Sequence, residues 1–147
     1  MCKPRFCSGF ISLVAVATLF AGASAFAETV SFKAELSGAN EVPAVEGSGK
    51  GTVSASYDSV SKVLTYTVEY SDLSGPATAA HFHGPADTSH NAPVMIPVST
   101  GYASPMKGAE TLTDAQAADL MAAQLYFNIH TAKNKPGEIR GQIVKAK

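Results

Sequence analysis

From Thr29 to Leu36 the chain alternates, with Val30, Phe32, Ala34 and Leu36 on one side and Ser31, Lys33 and Glu35 on the other. A period of two marks a strand with one buried face. The pattern breaks at Ser37-Gly38-Ala39-Asn40, and Glu41-Val42-Pro43-Ala44-Val45 follows as an extended segment, since Pro43 cannot donate within a central sheet. Val53, Ala55 and Tyr57 alternate again, then Leu64, Tyr66, Val68 and Tyr70, across the polar link Asp58 to Lys62. Two alternating runs joined by a short polar link predict a β-hairpin. Ala77 to His83 reads as a strand of small residues closed by Gly84-Pro85, and Val94 to Val98 as a short apolar strand. Asp87 to Pro93 and Ser99 to Met106 read as irregular and turn-rich.

The period then changes. Thr113 followed three residues later by Gln116 forms a capping box, and the alanine-rich run behind it predicts one short helix over about 114–123. Strand character returns at Leu125 to His130 and, after the turn Lys133 to Gly137, at Glu138 to Val144. About seven or eight short strands with turns between them predict an all-β fold, a Greek-key β-sandwich or barrel.

The N-terminus stands apart from this pattern. Lys3 and Arg5 precede the apolar run Phe10 to Ala23, and Ala25-Phe26-Ala27 is an A-x-A cleavage site. Residues 1–27 therefore read as a secretory signal peptide and residues 28–147 as a single β domain, secreted or periplasmic. No later stretch is long and apolar enough to span a bilayer, so no membrane contact is expected after cleavage. Both cysteines, Cys2 and Cys7, lie in the leader, which leaves the remainder without a disulfide or a thiolate ligand. Without Lys3 and Arg5, nine basic residues face twelve acidic ones, and no basic run exists. Nucleic-acid binding by charge is excluded on that ground.

Four histidines carry the candidate chemistry: His81, His83, His90 and His130. His81 and His83, two apart on a strand, share a face, beside the small Ala79. His130 ends a second strand in similar apolar surroundings. If the two strands are neighbours, three imidazoles converge into a metal site. Imidazole donors without thiolates suit copper, the preferred ion, or zinc. His90, in the loop after the first strand, is a candidate fourth ligand. Asn128, on the face of His130, is a candidate partner for a ligand ring. Arg140 and Glu138, on one face of the last strand, are candidate supports, as an ion pair or with Arg140 turned to the histidines. Met95 and Met106 are soft enough for copper(I), but isolated methionines more commonly fill a core. No G-x-S-x-G elbow or phosphate loop is present, and binding is expected over catalysis.

In order along the chain occur Glu41-Val42-Pro43, Ala80-His81-Phe82-His83-Gly84-Pro85-Ala86, Leu112-Thr113-Asp114-Ala115-Gln116, Tyr126-Phe127-Asn128-Ile129-His130-Thr131 and Pro136-Gly137-Glu138-Ile139-Arg140-Gly141-Gln142. This set closely resembles the CHRD domain, named for its occurrence in chordin and widespread in bacterial secreted proteins. The resemblance implies a β-rich extracellular domain and no settled activity. At the level of the fold, His-x-His on one strand, a histidine on a later strand and an arginine near the C-terminus also resemble the copper site of Cu/Zn superoxide dismutase. The chain departs from that enzyme in lacking its zinc-ligand cluster, its disulfide and an evident second bridging histidine. Three roles follow as expectations: a metal-binding domain, an extracellular protein-interaction module with structural histidines, and a copper oxidoreductase of the dismutase type.

Overall fold

The computed structural model describes residues 28–147; the leader assigned to residues 1–27 lies outside the described residues. Among the described residues the fold is all-β, as expected, with nine antiparallel strands and one short α-helix. The strands are β1 (Thr29–Ser37), β2 (Lys50–Asp58), β3 (Val63–Ser71), β4 (Ala77–His83), β5 (Val94–Pro97), β6 (Met106–Thr111), β7 (Tyr126–Thr131), β8 (Ile139–Gln142) and β9 (Val144–Lys145), with helix α1 (Asp114–Met121) before β7. They form one nearly closed, barrel-like sheet in the order β5-β4-β7-β8-β1-β2-β3-β6, with β9 paired to β1. Among the described residues no helix is long and apolar enough to cross a membrane.

Alternation sets the inside of the barrel. Phe32, Ala34 and Leu36 of β1, Val53, Ala55 and Tyr57 of β2, and Leu64, Tyr66 and Val68 of β3 are buried together with Phe82 of β4 and Phe127 and Ile129 of β7. Phe82 packs edge-on against both Tyr66 and Phe127. Each core side chain of this size contributes roughly 1.5–3 kcal/mol by leaving water.

Two elements differ from the sequence-based expectation. Strand β6 fills the stretch between the turn-rich run that ends at Met106 and the helix cap at Thr113, where the sequence pattern predicts no strand. Its positions Met106, Gly108 and Glu110 carry no apolar alternation, because Gly108 lies directly under the Tyr66 ring, where a Cβ would collide with the hydroxyl. The last expected strand divides into β8 and β9 around Ile143, whose N–H bonds to Leu125 O instead of to the sheet neighbour. Helix α1 carries the expected capping box and stops at Met121, where Ala122 caps it and Ala123 turns to φ +57°.

Because Ala80, Phe82, Phe127 and Ile129 point inward, their neighbours on β4 and β7 point out of the barrel. Strand pairing aligns these outward residues in rows: His83 opposite Tyr126 opposite Gln142, and His81 opposite Asn128 opposite Arg140. His130 lies opposite Ala79. The row is polar yet mostly buried, since the segments around Glu41, Asp87–Ala92 and Lys133–Gly137 fold over it.

Candidate metal centre

Strands β4 and β7 bring His81, His83 and His130 together, with one ring nitrogen of each lying within 4.8 Å of the others. Ala79 lies opposite His130, and the His81 ring contacts the His130 ring with centroids 4.9 Å apart. His81 is half-buried; His83 and His130 are buried.

Hydrogen bonds fix which nitrogens are free. His83 Nδ1 lies 3.0 Å from Ala92 O, and His130 Nδ1 lies 2.8 Å from Lys135 O. A carbonyl oxygen only accepts, so both Nδ1 atoms carry the proton and both Nε2 atoms present a lone pair. His83 Nε2 is buried and has no hydrogen-bond partner. His130 Nε2 lies 3.1 Å from His81 Nδ1, which therefore donates to it in the metal-free protein.

This arrangement suits one ion. Two imidazole nitrogens on one metal at about 2.05 Å each sit up to about 4.1 Å apart. The His81–His130 spacing of 3.1 Å falls inside that limit, and all three nitrogens lie within 4.8 Å of one another. All three imidazoles are held below the ordinary histidine range. Burial is the main cause for each; His130 and then His83 add to it for His81, and His130 and Arg140 add to it for His83. Burial thus favours the neutral rings, the form that binds metal.

The other candidates have different places. His90 is exposed and outside the triad, with its Nδ1 against Asp87 Oδ1 at 2.8 Å and Ser89 Oγ at 3.0 Å. Asn128 does not hold a ligand ring; it donates from Nδ2 to Glu41 Oε1 at 2.8 Å, and its Oδ1 is left without a partner. Backbone carbonyls do the ring-holding instead. Glu138 and Arg140 make no ion pair with each other. The buried Glu138 accepts from Ser74 N and Oγ, Thr131 Oγ1 and Asn134 Nδ2. Burial raises its carboxyl, but these donors outweigh burial and hold it at about 2. The buried Arg140 donates to Asn91 Oδ1, Asp87 O and His90 O, and its guanidinium lies 3.5 Å over the Tyr126 ring. It is not an open charge beside the histidines. Met106 is core, and Met95 is half-buried against it.

Three participants escaped the sequence reading. Tyr126 stacks on His83 at 4.9 Å with the rings 2° from parallel, and its hydroxyl bonds to the backbone of Ala92. Its place on the face of Asn128 and His130, two and four residues on, was the available signal. Glu41 enters from a distant segment, and Gly137 lets the chain press onto Glu41 and Asn128, where a Cβ would collide with both. Nothing local in the sequence announces either contact.

The CHRD domain family model matches residues 32–143, which takes in every strand of the barrel apart from the first residues of β1 and the short β9. The chain belongs to the CHRD domain family. No curated protein and no solved structure matches it.

Proposed function

We propose that this CHRD-domain protein binds one metal ion, copper in preference to zinc, through His81 Nδ1, His83 Nε2 and His130 Nε2, in a secreted or periplasmic setting. The observation that carries the reading is the pair of carbonyl-locked imidazoles in a triad with one ring nitrogen of each within 4.8 Å of the others, the free His130 Nε2 lying 3.1 Å from His81 Nδ1 and the free His83 Nε2 buried without a partner. A histidine that donates its second N–H to a backbone carbonyl has the arrangement usual for a metal ligand. Three neutral nitrogen donors with no thiolate among them favour copper by the general affinity order. Binding through His81 Nδ1 would shift its proton from Nδ1 to Nε2, a change of tautomer that leaves the ring neutral. The half-exposed His81 ring gives the ion its way in. The compartment follows from the leader-like residues 1–27.

Arg140 is engaged by the loop and shielded by Tyr126, so it does not serve as an anion guide, and binding stands ahead of dismutation. The test is a copper and zinc titration of the untagged protein beside its His81→Ala/His83→Ala variant. One equivalent bound by the parent and none by the folded variant supports the site. Equal binding by both removes it.

A further inference from the structure

Two buried charges, Arg140 and Glu138, hydrogen-bond to none of the triad's rings, yet each fastens the loop that carries one of the two ring-holding carbonyls. Arg140 binds the 87–92 loop at three points: Nη1 to Asn91 Oδ1 at 2.9 Å, and Nη2 to Asp87 O at 3.0 Å and His90 O at 2.8 Å. The next residue, Ala92, accepts the His83 Nδ1 proton. Glu138 binds Thr131 Oγ1 at 2.5 Å and Asn134 Nδ2 at 2.9 Å. That fastens the turn in which Lys135 accepts the His130 Nδ1 proton.

We infer that Arg140 and Glu138 are positioning residues, each setting the tautomer and aim of one histidine, Arg140 that of His83 and Glu138 that of His130, through a loop carbonyl. The charges suit the task. A guanidinium presents several donors in a rigid fork and matches a loop that turns its carbonyls inward. A carboxylate presents only acceptors and matches a turn that offers a hydroxyl and an amide. Neither charge lies on the ion, so the donor set stays neutral. The inference rests on the metal reading for its purpose but not for its test.

The test reads imidazole 15N shifts in metal-free protein, where the two tautomers are resolved. Arg140→Gln is expected to move His83 from the Nδ1–H form towards a mixture and to leave His130 unchanged; Glu138→Gln is expected to do the reverse. Asn91→Ala and Asn134→Ala each remove one bond between a loop and its buried charge while the charge and its other bonds stay, and they carry the test if the first pair fails to fold. Copper affinity is expected to fall about 10–100-fold in each variant. A folded set in which both histidines keep the Nδ1–H form throughout, or in which every variant disturbs both equally, overturns the inference. A parent protein that takes up no copper or zinc overturns the metal reading instead, and the crossed tautomer pattern still decides the clamps.

Discussion

Glu41 is 8% exposed, and burial pushes its carboxyl up to about 7, against the opposing pull of Arg140 and of the Asn128 amide. Its folded value lies above the ordinary 4.5, so the fold prefers the protonated acid. That preference supports the fold fully below about pH 4.5 and is lost as pH rises through about 7. Glu41→Gln imitates the protonated acid and supplies an N–H that suits the unpartnered Asn128 Oδ1. Urea midpoints of the metal-free protein from pH 4 to 8 are expected to coincide at the acid end and diverge upward in favour of the variant, by up to about 3 kcal/mol. A constant difference across that range would show that burial is not what holds this acid up. Comparison with the variant also cancels the three histidines, whose lowered values weaken the fold as pH falls below their ordinary range. At this scale His81, His83 and His130 were legible because a strand period puts i and i+2 on one face. The carbonyls of Ala92 and Lys135 were not, because every residue has one and its direction depends on how a loop lies.

Single elements follow the sequence where local chemistry decides them. Thr113 Oγ1 accepts from Gln116 N at 3.2 Å while Gln116 Oε1 accepts from Thr113 N at 2.9 Å, the reciprocal cap that the T-x-x-Q spacing announces. Thr113→Ala leaves a first-turn N–H without its partner and is expected to cost about 1 kcal/mol. The measurement is a lower urea midpoint at unchanged slope; no change would mean that the anchoring of Leu120 in the core holds the helix without its cap. The same alternation that exposed β1 to β3 failed for β6, because its inward glycine is chosen by Tyr66 on the neighbouring strand and not by its own segment. It failed again at the C-terminus, where Ile143 leaves the ladder for Leu125 and divides one run into two strands.

On the scale of the whole molecule the site exists because β4 and β7 are neighbours, although more than forty residues separate them in the chain. Sequence spacing could place two histidines on one face but not choose the adjacent strand, since that choice belongs to the order in which the barrel closes. An ion held by His81, His83 and His130 therefore binds the folded barrel in preference to the unfolded chain, in which the β7 ligand is far from the other two. Such a ligand stabilises by mass action, about 2.7 kcal/mol at a free concentration one hundred times its dissociation constant. Zinc is the better probe because it adds no redox damage to the unfolding reaction. The thermal midpoint of the parent is expected to climb steadily with the logarithm of free zinc once the site is saturated, and that of His81→Ala/His83→Ala to stay level. A parent midpoint indifferent to zinc and to copper at saturating concentration would mean that neither metal distinguishes the folded state. The convergence of the three rings would then be a structural hydrogen-bonded cluster on the outer face of the barrel.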